Sequence, residues 1–272
     1  MKRVVIADDQ GFCWGVRRAL EIVDQHGEVL ILGDLIHNKQ VVKQLEERGK
    51  KIVHAVTGEE KKPVVITAHG TIIGNYQHLE KLGMEVVDTT CPLVSAIYKA
   101  GENLENEGYR ILVIGNKEHV EVKGIASRLN NPIIVNNEEE LAQVNLPDRL
   151  GVICQSTYSV QKFDKLVSQI RIRTTDLKVR NTTCSPTKKR QNAAEQLAKQ
   201  VELMIVVCGY HSSNTKKLAE LTSQFVESYH IETSDQLNPE WFEGKSEIGI
   251  TSGASTADWI VDEIRQKIES FD

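Results

Sequence analysis

The sequence predicts an α/β fold of three similar subdomains with mainly parallel sheets, arranged around a pseudo-threefold axis. Two observations carry this reading. Val29-Leu30-Ile31-Leu32-Gly33, Ile111-Leu112-Val113-Ile114-Gly115 and Ile205-Val206-Val207-Cys208-Gly209 share one pattern of four apolar residues followed by Gly. Runs this short and apolar read as buried strands ending in tight turns. A helix-like segment precedes each run, and a cysteine precedes that segment: Cys13, Cys91 and Cys184 lie 20, 24 and 25 residues ahead of the respective glycines. An internal repeat of this length decides the fold before any single element does.

In chain order, residues 1–85 begin with a strand-like run through Val4, Val5 and Ile6, and carry Cys13, the Val29 run and a second strand at Val64-Val65-Ile66-Thr67. Residues 86–176 repeat this with Cys91, the Ile111 run and Gly151-Val152-Ile153-Cys154. Residues 177–272 repeat it again with Cys184, the Ile205 run and Ile248-Gly249-Ile250-Thr251, and close on a helix marked by Ile260, Ile264 and Ile268. Alternating strands and helices imply parallel βαβ units. Polar turns follow the second strands: Ala68-His69-Gly70, Gln155-Ser156-Thr157 and Ser252-Gly253-Ala254-Ser255. Ligands gather at the carboxyl ends of parallel strands. The cysteines, these turns, His37, His119 and the run His211-Ser212-Ser213-Asn214 are therefore expected to form one site.

Composition narrows the partners. The 272 residues are 40% hydrophobic and 26% charged, a globular balance with ample length for a core. Aromatics at 5% argue against a nucleic-acid binder that works by stacking, and a net charge of −5 offers no general attraction for polyanions or acidic membranes. No partner nucleic acid or membrane is expected. No signal-peptide pattern opens the chain, and no apolar stretch nears the roughly 20 residues that span a bilayer. Five cysteines, an odd number, are widely spaced, which points to a reducing, cytoplasmic setting.

The repeat sorts those cysteines. Cys208 aligns with Leu32 and Ile114, and Cys154 with Thr67 and Thr251, so both read as packing residues. Cys13, Cys91 and Cys184 align with one another and read as a shared ligand set with one coordination position open. Thiolates suit zinc and iron–sulfur clusters alike, and spacing leaves both open. Lys188-Lys189-Arg190 reads as a solvated helix face.

Gly11-Phe12-Cys13-Trp14-Gly15-Val16-Arg17-Arg18-Ala19, Ile36-His37-Asn38, Thr67-Ala68-His69-Gly70, Asp88-Thr89-Thr90-Cys91-Pro92, Lys188-Lys189-Arg190-Gln191, Ser212-Ser213-Asn214 and Thr251-Ser252-Gly253-Ala254-Ser255 together resemble the 4-hydroxy-3-methylbut-2-enyl diphosphate reductase family. The likeness runs in order along essentially the whole chain. It implies one 4Fe-4S cluster at the centre of the fold, held by Cys13, Cys91 and Cys184, with one iron lacking a protein ligand. It implies a diphosphate pocket of His37, His69, His119, Ser212, Ser213, Asn214 and Ser255, with Glu121 as proton source and Ser156 as its hydroxyl relay. The reaction implied is a two-electron reductive dehydroxylation giving isopentenyl and dimethylallyl diphosphate, fed by a carrier such as ferredoxin or flavodoxin with its reductase. The competing classes are a Cys-ligated zinc enzyme and a non-enzymatic iron–sulfur redox sensor. Two departures stand beside the proposed acid. Val120 occupies the place where the family usually has proline, and Ser156 replaces its usual threonine.

Overall fold

Twelve strands and ten α-helices occupy the described residues of the computed structural model, which are 2–36, 38–210 and 212–271 without the side chains of Ser213 and Asn214. The predicted residues His37 and His211 lie outside them, as do the side chains of Ser213 and Asn214. The first third runs β1 (Arg3–Ile6), α1 (Trp14–Asp24), β2 (Val29–Leu32), α2 (Lys39–Glu47), β3 (Lys50–Val53), β4 (Val64–Ile66) and α3 (Ile73–Lys81). The second runs β5 (Val86–Asp88), α4 (Pro92–Asn106), β6 (Arg110–Ile114), α5 (Val120–Ala126), β7 (Ile133–Val135), α6 (Glu138–Ala142), β8 (Arg149–Cys154) and α7 (Val160–Arg171). The last runs β9 (Asp176–Val179), α8 (Ser185–Ala198), β10 (Leu203–Val207), α9 (Ser213–Thr222), β11 (Ser228–Ile231), β12 (Glu247–Ser252) and α10 (Asp258–Glu269).

All the strand pairs are parallel, and the strands form three four-stranded sheets with the orders β3-β2-β4-β5, β7-β6-β8-β9 and β11-β10-β12-β1. The α/β class and its threefold repetition are as expected. The apolar runs lie on central strands, where both faces are covered: Ile111 to Ile114 and Leu203 to Val207 are essentially without exposure. The sheet boundaries differ from those drawn at residues 85 and 176. The strand before each cysteine completes the sheet of the preceding third: β5 joins the first sheet, β9 the second, and β1 closes the last. Each cysteine thus lies between the edge strand of one sheet and the helix that follows, directly ahead of that helix.

The chain divides into two compact units. One comprises Met1–Arg17, Ile36–Gln44 and Ser185–Asp272 and holds the sheet of β1, β10, β11 and β12. The other comprises Arg18–Leu35 and Leu45–Cys184 and holds the remaining two sheets. In this second unit α4 lies on β6 and β8, burying Val94, Ile97, Tyr98 and Leu104 with Ile111, Val113 and Ile153.

Strand register corrects two sequence alignments by one residue. The pairs Leu32 with Ile66, Ile114 with Cys154, and Val207 with Ser252 are equivalent. Cys154 therefore corresponds to Ile66 and Ser252. Cys208 corresponds to Gly33 and Gly115, since the N–H groups of these three donate equivalently to Val53, Val135 and Ile231 carbonyls. Compensation explains a cysteine in a glycine position. Gly115 faces Gln155, whose Cβ would lie 3.0 Å from an added methyl, whereas in the last sheet Cys208 faces Gly253, the counterpart of Gln155. In these last two sheets one member of the pair is Gly.

A methyl added at Gly253 would lie 2.2 Å from Thr215 Oγ1 and 2.8 Å from Cys208 Sγ. Gly253→Ala is expected to destabilise the fold by about 1–3 kcal/mol through overpacking. A lowered urea midpoint checks this, and an unchanged midpoint would refute the compensation.

Candidate functional site

Glu121 lies at the centre of a run of contacts in the second unit. It is fully buried at the second position of α5. Its Oε1 accepts the Ser156 backbone N–H at 2.5 Å, and its Oε2 accepts the Ser156 hydroxyl at 2.7 Å. Burying a carboxyl without such donors would cost several kcal/mol. The Ser156 carbonyl in turn accepts the N–H of Cys184 at 2.9 Å. On the other side, Glu121 N–H donates to Nδ1 of His119, the N-cap of α5, at 3.2 Å. The His119 ring meets His69 edge-on with centroids 5.7 Å apart. The unit therefore links His69, His119, Glu121, Ser156 and Cys184 in one run of contacts. Val120 begins α5, where a proline would be tolerated because the first helical N–H has no partner within the helix.

Cys91 occupies the N-cap position of α4, and its N–H donates to Ala68 O at 2.9 Å. Thr89, two residues earlier, donates its hydroxyl to Ile66 O at 2.6 Å, and Asp88 Oδ1 accepts the N–H of Thr90 at 2.8 Å. The approach to Cys184 repeats this almost atom for atom. Thr182 donates its hydroxyl to Cys154 O at 2.5 Å, and Asn181 Oδ1 accepts the N–H of Thr183 at 3.1 Å. Asp88-Thr89-Thr90-Cys91 and Asn181-Thr182-Thr183-Cys184 are one motif. Sequence reasoning passed over it, although the Thr-Thr-Cys repetition was visible.

In the first unit Cys13 directly precedes α1, and its N–H donates to Ala254 O at 3.1 Å. Gly11 N–H donates to Ser252 Oγ at 3.1 Å. Gly11 has φ of 74°, the left-handed region that glycine adopts most readily. Ser212 caps α9, accepting from Thr215 N–H at 3.4 Å. Ser255 lies buried with its Oγ 3.1 Å from Cys208 Sγ.

Residues 4–269 match the family model described as LytB protein. A 4-hydroxy-3-methylbut-2-enyl diphosphate reductase of Geotalea uraniireducens is 38% identical over 99% of this chain and 98% of its own, and one of Aquifex aeolicus is 36% identical over 100% and 97%. The chain belongs to the LytB family. A solved structure of (E)-4-hydroxy-3-methyl-but-2-enyl diphosphate reductase, described as the terminal enzyme of the non-mevalonate pathway, matches with a TM-score of 0.70 at 35% identity, covering 99% of both chains. The structure of the E-1-hydroxy-2-methyl-but-2-enyl-4-diphosphate reductase from Plasmodium falciparum matches with a TM-score of 0.91 at 26% identity, covering 98% of this chain and 87% of the other.

Against this LytB background the five cysteines separate by environment. Cys13, Cys91 and Cys184 are part-exposed, while Cys154 and Cys208 are buried. Burial pushes the Cys154 thiol up from its ordinary range. Among the described residues, no preformed group of three or more His, Cys, Asp or Glu side chains is arranged to hold a metal ion. One sequence reading is overturned. Lys189 is exposed as expected of a solvated face, but Arg190 beside it is only 3% exposed. Its guanidinium turns inward and reaches backbone carbonyls.

Brief alkylation of the apoprotein under native conditions is expected to label Cys13, Cys91 and Cys184 and to spare Cys154 and Cys208, since only accessible thiolates react. Peptide mass mapping checks this, and early labelling of Cys154 would contradict it.

Proposed function

We propose that this chain is a 4-hydroxy-3-methylbut-2-enyl diphosphate reductase that yields isopentenyl and dimethylallyl diphosphate. The observation that carries the reading is the buried Glu121 carboxyl, bonded through both oxygens to Ser156, whose carbonyl takes the Cys184 N–H. It joins a proton source, a hydroxyl relay and a cysteine.

The donor set fits one 4Fe-4S cluster. Cys13, Cys91 and Cys184 are part-exposed thiols that each stand directly ahead of a helix, in equivalent places of the repeat. Bound there with one iron lacking a protein ligand, such a cluster would pass on, one at a time, the carrier's two electrons, chemistry that no side chain supplies. The remaining chemistry belongs to the chain. Glu121, through the Ser156 hydroxyl, delivers a proton to the allylic oxygen, which departs as water. A second proton then adds at either end of the allyl unit, which accounts for two products. His37, His69, His119, Ser212, Ser213, Asn214 and Ser255 hold the diphosphate with neutral donors and helix N-termini. This suits a chain of net charge −5.

The electron donor is taken to be a small carrier such as ferredoxin or flavodoxin with its reductase, acting in the cytoplasm. No helix among the described residues is long and apolar enough to cross a membrane. The three thirds serve as subdomains that each contribute one cluster ligand.

Anaerobic reconstitution followed by iron and acid-labile sulfide analysis tests the cofactor; about four irons per chain are expected for the cluster type. Zinc in their place would overturn the reading in favour of a zinc enzyme, and a stable cluster without turnover of the hydroxylated diphosphate would favour a sensor. Glu121→Gln is expected to keep the iron content and lower kcat by roughly 10²–10⁴-fold, the usual worth of a positioned acid. Turnover near the wild-type rate would remove Glu121 from the mechanism.

A further inference from the structure

We infer that Arg18 and Arg190 are positioning residues that shape the loops presenting Cys91 and Cys13; this rests on the reading of those cysteines as cluster ligands. In the first unit the Arg190 guanidinium donates to Gly11 O at 2.9 Å through Nη2, and to Ser252 O at 2.9 Å and Gly253 O at 3.3 Å through Nη1. Gly11 lies two residues before Cys13, and Gly253 lies directly before Ala254, whose carbonyl takes the Cys13 N–H. One planar fork therefore grips both segments that meet at Cys13. In the second unit Arg18 Nη1 donates to Thr89 O at 3.3 Å and Thr90 O at 3.4 Å, the two carbonyls directly before Cys91.

The correspondence is not accidental. Gly11 and Thr89 hold the same place, two residues ahead of a cysteine, and each is tied to the end of the neighbouring strand, at Ser252 and Ile66 respectively. Each arginine also sits five or six residues after a cysteine, on the helix that this cysteine begins: Arg18 follows Cys13, and Arg190 follows Cys184. Arg190 is nearly without exposure, and the backbone carbonyls that its two Nη groups reach offset part of the cost of burying a guanidinium. Lysine cannot reproduce this planar fork. The loop before Cys184 is held from the strand side, through Thr182 and the Cys154 backbone.

The test compares reconstituted wild-type protein with Arg190→Lys, Arg18→Gln and Arg173→Ala. Arg173 serves as control because it holds the carbonyls of Leu141 and Val144, away from all three cysteine loops. The readouts are iron release to an excess of a chelator and the electron paramagnetic resonance spectrum of the reduced cluster, with circular dichroism of each apoprotein as the check on folding. Loss of support around a ligand typically weakens metal binding by roughly 10- to 100-fold, so iron release from Arg190→Lys and Arg18→Gln is expected to quicken on that scale, with altered spectra. Arg173→Ala is expected to release iron at the wild-type rate. Wild-type release and spectra in both Arg18→Gln and Arg190→Lys would overturn the inference while leaving the cluster intact. If Arg190→Lys does not fold, the half-buried Arg18 decides by the same two readouts. Full iron uptake by the Cys91→Ser protein would instead overturn the ligand reading on which the inference rests.

Discussion

Three backbone hydrogen bonds underlie the architecture around the cysteines. Cys13 N–H donates to Ala254 O, Cys91 N–H to Ala68 O and Cys184 N–H to Ser156 O. In each case the acceptor is the second residue beyond the end of the inner strand that pairs with an edge strand, and the donor follows that edge strand. A single such bond contributes only about 1 kcal/mol. Its effect is positional. It can form only when the edge strand has the right register, and that register places the cysteine at the start of a helix, where backbone N–H groups and the helix dipole favour anionic groups.

The exchange of edge strands makes this arrangement self-consistent. Because β5 completes the first sheet and α4 then packs on the second, the residue between them is committed to both. A cysteine in the middle of a sheet would be buried, as Cys154 is, and one on a free loop would lack a defined direction. The joint between an edge strand and the next helix is part-exposed yet fixed at both ends.

The sequence made the central strands legible because they are uniformly apolar, as in Ile111 to Ile114, and it made the cysteine repeat legible because those strands are easy to align. The edge strands were harder. Lys50-Lys51-Ile52-Val53, Ser228-Tyr229-His230-Ile231 and Asp176-Leu177-Lys178-Val179 are short, partly exposed and mixed in polarity, so their strand character comes from pairing with a neighbour. The one-residue error at Cys208 has the same origin. Aligning on Gly209 assumed that the glycine ends the strand, whereas the ladder ends at Val207, and the freedom from side-chain crowding has moved across the sheet to Gly253. Arg190 was misread because a cationic run on a helix is normally solvated. Only the packing of α8 toward β12 reveals that one of the three cations points inward.

The contrast between Glu121 and Arg190 shows how a chain with excess acid builds a polar interior. The carboxyl accepts the backbone N–H and the hydroxyl of Ser156, and the guanidinium donates to carbonyls of two loops. The groups that meet them here are backbone N–H and C=O groups and a hydroxyl, dipoles fixed in the fold. Interaction of a charge with oriented dipoles is stronger in a dry, low-dielectric setting than in water. These bonds tie each group to a loop, and in both cases the loop leads to a cysteine.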